Sequence, residues 1–386
     1  MLHYKLTHTK LIMPNRILLM FPTMYLLYIN QGLALCEAFE KVGVHCIMLS
    51  DEMNEDSYKA LLSGYAPNIV ISINSPKRPA MEDFPNIRHI RWLQDNQFAE
   101  HDYLNEPEQR TSDILYMSST RLKNGIFRQG NQLTSVLPFA AKPVAASYSE
   151  PLETDFSLIG YIPHHALLNA SFTLSTKREF KGYDYFAFLE LFQGKSFDFP
   201  LETLAKMVDA FLKTRGTKAS DVTPELLRLL REDYLRAFNR SRFVRLVLSL
   251  GNGCQIYGPD EWKSWPEFAA HHRSILPSTA ENLRVYRATR INLHNGGTIS
   301  HPRVLDCMSA RGGPLMCNGM PIAQELGLQP GIHYVEFDYS DFEQHARALF
   351  ANSAMRKTLS EAAYAHIVAH HTWDHRVQQI LRDLAS

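Results

Sequence analysis

A chain of 386 residues is longer than one hydrophobic core ordinarily serves, so two domains are expected. Its 40 basic and 40 acidic residues cancel to a formal net charge of +0, which argues against a protein built to hold nucleic-acid phosphates. At 45% hydrophobic and 21% charged, the composition is that of a soluble globular protein.

Residues 1–13 read as a poorly ordered leader. The apolar stretch Leu11 to Ile29 is broken by Pro14, Asn15, Arg16 and Pro22, and no small-residue cleavage site follows. It reads as a first strand, Arg16 to Phe21, not as a signal peptide or membrane span. Pro22 to Tyr28 reads as a loop, and Asn30 to Gly43 has helical spacing with glycine as the stop. Strands follow at Val44 to Leu49, Ile69 to Ile73, Ile87 to Leu93 and Ile114 to Ser118, with a short helix at Ser57 to Ser63. Strands alternating with helices imply a parallel, doubly wound sheet that binds ligands at the carboxyl ends of its strands. Of the five cysteines, Cys36 and Cys46 fall in apolar helix and strand patterns and read as small buried hydrophobes. With Cys254, Cys307 and Cys317 they form no CxxC pair and no even framework, so a cytoplasmic location is expected.

Gln129 to Pro151 reads as a linker, and Asp155 to Gly160 opens a second alternating series. Residues 180–250 are mostly helical, with helices at Leu201 to Leu212 and Pro224 to Leu250. Cys254 to Gly258 is a strand. Arg290 to His294 is another, followed by the loop Asn295-Gly296-Gly297, a helix from Pro302 to Ala310 that Gly312 and Gly313 end, and a strand at Pro314 to Cys317. A proline suits the first helical turn, where its missing N–H costs nothing. Strand, glycine loop and helix present backbone N–H groups and a positive helix end to a phosphate. Arg303 and Asp306, one turn apart, suit a diphosphate and ribose hydroxyls. A strand at Tyr334 to Phe337 and helices at 340–351, 353–368 and 373–385 complete the chain.

Several of these segments resemble one branch of the GT-B glycosyltransferases, the CgeB-like branch. Leu137 to Ala141 (LPFAA) followed by Asp155 to Gly160 (DFSLIG) resembles its domain junction. So do Gln255 to Gly258 with Trp262, Ile291 to His294 through Pro302 to Asp306, Ala310 to Pro314, and His371 to Arg376. The likeness covers roughly 135–386. The family's Glu after the Arg is Asp306 here, and Thr298 stands where retaining enzymes often carry an earlier Glu. The resemblance implies an α/β fold of the GT-B kind: two Rossmann-like doubly wound domains facing a cleft, with an extra helical segment in the second. The expected boundaries are 14–150 for the acceptor-side domain and 151–370 for the nucleotide-sugar domain, with its helical insert at about 180–250. Residues 371–386 are expected as a helix crossing back to the first domain.

What the resemblance implies is transfer of a sugar from a UDP-, dTDP- or GDP-sugar to a glycan, protein or small-molecule acceptor. No metal, cofactor, nucleic acid or transmembrane segment is expected. Tyr257, Gly258, Asn295, Gly296, Gly297, Thr298, Ser300, Arg303 and Asp306 are the candidate donor contacts, with His294 and Arg303 also as catalytic candidates. For the loop, the plain alternative is a tight connection that needs glycine for backbone reasons alone; for His294, it is a hydrogen-bonded core histidine. Asp95, at the tip of the fourth strand, is the candidate base, or else a helix cap. Tyr25, Tyr28 and Asn96, with Met24, would line the acceptor side; His101 and Asp102 are weaker candidates. Lys177, Arg178 and Lys181 read as a solvated charge run rather than a second cation source. The glycines at 125 and 130 lack the Lys-Ser/Thr of a phosphate loop, and His366, His370, His371 and His375 lack the Glu of a zinc helix. Two rivals remain: a nucleotide-sugar epimerase on this fold, and a non-catalytic nucleotide-sugar or partner-binding protein.

Overall fold

Continuous apolar runs become central strands, and the breaks between them become helices and turns. The structure, a computed structural model, describes residues 16–23, 26–94, 110–119, 135–150, 153–165, 201–214, 227, 230–295, 301–319 and 323–385. The chain divides into two compact units: 1–117 with 127–137 and 373–386, and 118–126 with 138–372.

The first unit is a parallel sheet of β1 (Arg16–Phe21), β2 (His45–Ser50), β3 (Ile69–Ile73), β4 (Arg88–Leu93), β5 (Ile114–Met117) and β6 (Ser135–Val136), in the order β2-β1-β3-β4-β5-β6. β1, β3 and β4 are buried on both faces, which is why they read as unbroken hydrophobic runs. α1 spans Leu26–Glu40 and therefore starts four residues before the expected Asn30. Nothing after Pro22 breaks the helical pattern, and Gly32 lets α1 lie close on the sheet. A Cβ there would stand 2.6 Å from Met48 Sδ and 2.7 Å from the Phe21 ring. α2 (Glu55–Tyr65) is capped by Asn54, whose side chain accepts the Ser57 N–H. It covers the other face through Tyr58 and Leu62, which pack with Leu18, Met20, Val70 and Met81.

The second unit begins with β7 (Thr154–Ile159) and α3 (Leu201–Thr214). The expected helix over 224–250 is helical across its described residues, with a π-helical turn at Leu230–Leu235 running into α4 (Arg236–Leu248). β8 (Cys254–Tyr257) and β9 (His272–Arg273) follow, then α5 (Thr279–Ala288), which the sequence reading did not include. Next come β10 (Thr289–Asn295), α6 (Pro302–Ser309), β11 (Leu315–Asn318), β12 (Val335–Glu336), α7 (Phe342–Ala351) and α8 (Ser353–His370). The sheet is parallel in the order β12-β11-β10-β7-β8-β9. One core packs Phe156, Phe243, Trp262, Ile291, Phe337 and Phe342. A second holds Tyr286, Leu305, Leu315, Leu326 and Ile367. Asn292 ties both sides of β10 together: its Oδ1 accepts from Ser157 Oγ, and its Nδ2 donates to the carbonyls of Tyr286 and Gly313.

The glycines after α6 act differently from the expectation. The left-handed backbone at the helix end is Arg311, with φ 56. Gly312 and Gly313 instead permit close approach, since a Cβ on Gly313 would sit 2.0 Å from the Thr289 carbonyl oxygen. The last helix, α9 (Trp373–Ala385), belongs to the first unit. There the Trp373 ring meets Trp92 edge-on, and Tyr116 donates its hydroxyl hydrogen to Asp383.

Candidate functional site

In the second sheet the strand progression reverses between β7 and β10, its topological switch point. Ligand crevices of doubly wound sheets open at the carboxyl ends of the two strands that flank such a point. Here those ends are Ile159-Gly160 and His294-Asn295.

Two guanidinium groups converge beside Gly160. A Cβ on that residue would lie 2.9 Å from Arg303 Nη1 and 3.5 Å from Arg240 Nη1, so glycine makes room for both. Arg303, in the first turn of α6, donates to the Ile159 carbonyl. Arg240, on α4, donates to the carbonyls of Tyr161 and Asn295 and lies 3.4 Å from the Asn295 amide oxygen. Backbone carbonyls thus fix the two guanidinium groups in place. Arg236, one turn before Arg240, lies over the Tyr161 ring at 5.9 Å.

His301 caps α6, its Nδ1 accepting the Arg303 N–H. The Arg303 guanidinium lies against the same ring, with Nη2 2.9 Å from Nε2. Burial first, then the positive charge of Arg303, holds the His301 pKa well below its ordinary value, so the ring is neutral and keeps a nitrogen to accept with. His294 is buried at the tip of β10, its ring centroid 5.6 Å from that of His301. Asp306 is buried one turn after Arg303. Burial pushes its carboxyl up to about 7, with the Arg303 charge pulling the other way.

Tyr257 and Gly258 end β8 at the same sheet edge. The Tyr257 hydroxyl turns back along its own strand to Gln255 Oε1, 2.5 Å away. Gly258 approaches Gly160 closely, a Cβ there falling 2.1 Å from the Gly160 carbonyl oxygen, which also accepts from Trp262 Nε1. Asn295 is buried and donates to Asn318 Oδ1. Asn295, His294, Arg303 and Gly258 thus stand at one edge of this sheet, with Asp306 one turn further along α6, while the Tyr257 hydroxyl faces Gln255. Gly296, Gly297, Thr298 and Ser300 lie outside the described residues, as do Tyr25, Met24, Asp95, Asn96, His101, Asp102, Lys177, Arg178 and Lys181.

Tyr28, expected in a loop, sits in the first turns of α1. Its hydroxyl accepts from Asn74 Nδ2, and Asn74 Oδ1 accepts the Gln94 N–H at the ends of β3 and β4. Asn74 holds a left-handed backbone, φ 55. In the first unit, Thr23 Oγ1 and both polar side-chain atoms of buried Gln31 have no hydrogen-bond partner among the described residues. Buried polar groups are rarely left so in a finished core.

Residues 231–382 match a family model described as glycosyl transferase-like. Among solved structures, sucrose-phosphate synthase from Thermosynechococcus elongatus is similar over 96% of this chain and 100% of its own, with TM-score 0.54 and 11% identity. AviGT4, a glycosyltransferase involved in avilamycin A biosynthesis, is similar over 96% and 97%, with TM-score 0.51 and 9% identity. That family model covers the C-terminal part of the chain, less than half of its length. The two parallel six-stranded sheets are those of the GT-B fold. The likeness to the two GT-B structures is, at these identities, one of fold. No curated protein matches the chain. The segment matched by the family model contains Arg236, Arg240, His294, Arg303 and Asp306. Among the described residues, no helix is long and apolar enough to cross a membrane.

Proposed function

We propose that this GT-B protein transfers a sugar from a nucleotide-diphosphate donor, UDP-, dTDP- or GDP-linked, to an acceptor held by the first unit. The observation that carries the reading is the convergence of Arg240 and Arg303 beside Gly160 at the β7/β10 switch point. Two fixed cations and the N-terminus of α6 suit a diphosphate, whose negative charge grows as the sugar departs. The guanidinium groups take the part that a metal ion plays in other donor sites, so transfer is metal-independent. Asp306 accepts from the ribose hydroxyls, and the loop after Asn295 gives its N–H groups to the phosphates. His294 contacts the sugar, and Tyr257 and Gly258 border the nucleoside.

In the first unit, Asp95 is the proposed base, with Tyr25, Tyr28 and Asn96 on the acceptor side. The unsatisfied Gln31 amide and Thr23 hydroxyl favour an acceptor rich in hydroxyl or amide groups, which would supply their missing partners. Membership of the CgeB-like branch and a cytoplasmic location belong to the same proposal. The test is nucleoside diphosphate release from UDP-, dTDP- and GDP-sugars, with and without a panel of glycan, peptide and small-molecule acceptors. Release that depends on an acceptor supports transfer. Donor conversion without acceptor would instead make the protein an epimerase, and binding without any turnover would make it a non-catalytic binder.

A further inference from the structure

Two cysteines that look unrelated in the sequence meet in the first unit. Cys36 lies on α1 and Cys46 on β2, the edge strand of that sheet, and their sulfur atoms are 3.0 Å apart. That is closer than two sulfur atoms in plain van der Waals contact, so the thiols face each other directly. Cys46 is buried, whereas Cys36 is only half-buried and reachable by a small solute. The remaining cysteines, Cys254, Cys307 and Cys317, are all buried in the second unit. Cys46 is buried, as expected of a small core hydrophobe, whereas Cys36 is only half-buried, and the two thiols meet.

We propose that Cys36 and Cys46 are a reversible oxidation site, a dithiol that a low-molecular-weight disulfide converts to an internal disulfide joining α1 to β2. The order of attack follows from access. The Cys36 thiolate attacks one sulfur of the small disulfide, forming a mixed disulfide and releasing one small thiolate, which takes up the Cys36 proton. The Cys46 sulfur, already in contact, then attacks the Cys36 sulfur and expels the second small thiol, which carries away the Cys46 proton. Both protein thiols are oxidised, and one small disulfide is reduced to two thiols. The hydrogen bond with Cys36, and then burial, hold the Cys46 thiol far above its ordinary pKa, so it is inert until Cys36 has reacted.

The setting suits a local staple. β2 pairs with β1 through the register Ile17 to Cys46, and the Tyr65 hydroxyl bonds to the carbonyls of Ile17 and His45 at that edge. α1 rests on the sheet through Leu35, Ala38 and Phe39, which flank Cys36. Among the described residues no strand lies beyond β2, so a covalent bond to α1 would hold that side of the sheet. Closing this short loop restricts the unfolded chain and raises the resistance of the first unit to unfolding.

The test uses the reduced, full-length, folded protein incubated with oxidised glutathione. Remaining thiols are then alkylated before intact-mass and peptide analysis. The expected product has lost the mass of two hydrogen atoms, contains one Cys36–Cys46 cross-linked peptide, melts at a higher temperature, and reverts with a thiol reductant. Cys46→Ala should stop at a glutathione adduct on Cys36, and Cys36→Ser should take up no glutathione. The proposal is overturned if the wild-type protein keeps both thiols alkylatable on denaturation after oxidant treatment, or if it stops at a stable adduct on Cys36. The wild-type arm decides the matter even where a variant does not fold.

Discussion

Asp306 is a carboxyl group whose charge depends on what lies beside it. Buried with a pKa of about 7, it stands well above the unfolded value of about 3.9. The folded chain therefore holds a proton that the unfolded chain releases between those values. The stability this group contributes is complete below about pH 4 and is lost as pH rises through about 7. Asp306→Asn, neutral at every pH, should remove that slope and stabilise the protein above neutrality by on the order of 4 kcal/mol, read from denaturant midpoints across pH. Ribose hydroxyls donating to the carboxylate would favour its charged form, so donor binding near pH 7 should release protons. Calorimetry in buffers of different ionisation enthalpy should show that release in the wild type and not in Asp306→Asn; equal release in both would remove Asp306 from the site. The position of Arg303 and Asp306, one turn apart at a helix start, was legible in the sequence because a proline marks the first turn. Arg240 was not. It shares α4 with Arg236, Arg242 and Arg245, and only its burial, 7% exposed, separates it from a solvated charge.

At the scale of elements, glycines with opposite surroundings make a paired test. Gly313 turns the chain from α6 into β11 where the Thr289 and Arg290 carbonyl oxygens would lie 2.0 and 2.5 Å from a Cβ. These are backbone atoms that cannot swing aside, so Gly313→Ala should cost about 3 kcal/mol or more and displace the edge that carries Arg303. Gly64, exposed within α2, has nothing within 4 Å of its Cβ position. Gly64→Ala should stabilise by about 0.5–1 kcal/mol, because it removes only unfolded-state freedom. Urea unfolding of both variants checks the pair, and equal effects would refute the close approach at Gly313. The same contrast explains what could be read in advance. β1, β3, β4 and β10 were legible because strands buried on both faces are unbroken apolar runs. The start of α1 and the whole of α5 were not, since their boundaries depend on packing: Gly32 against Phe21 and Met48, and the α5 end against Gly312. The sequence pattern had the glycines ending α6, but Gly312 is needed where the α5 end approaches and Gly313 where β10 begins, and Arg311 takes the left-handed turn instead.

At the scale of the whole molecule, the chain makes two sheets and returns at its end to the first. α9 binds that unit through Trp373 on Trp92, Asp383 under the Tyr116 hydroxyl, and the Leu384 carbonyl on Arg88. Trp373→Ala should therefore cost about 3 kcal/mol in the first unit alone, giving two separated thermal transitions where the wild type shows closer ones. A single transition, unshifted by the change, would contradict that division of the chain. The doubly wound character of both units was legible from alternating elements, whereas the thiol pair of Cys36 and Cys46 was not, because helix and strand bring them together across a turn that spacing does not reveal. The central claim is that the second unit holds a nucleoside diphosphate on Arg240 and Arg303. The most direct measurement is a thermal-shift panel of UDP, dTDP, GDP, CMP and their sugars on the wild type, Arg240→Ala and Arg303→Ala. A ligand that binds only the folded state raises its melting temperature by mass action. The account predicts a rise with one nucleoside diphosphate family that both variants lose. No rise with any nucleotide, or a rise that survives both changes, would contradict it.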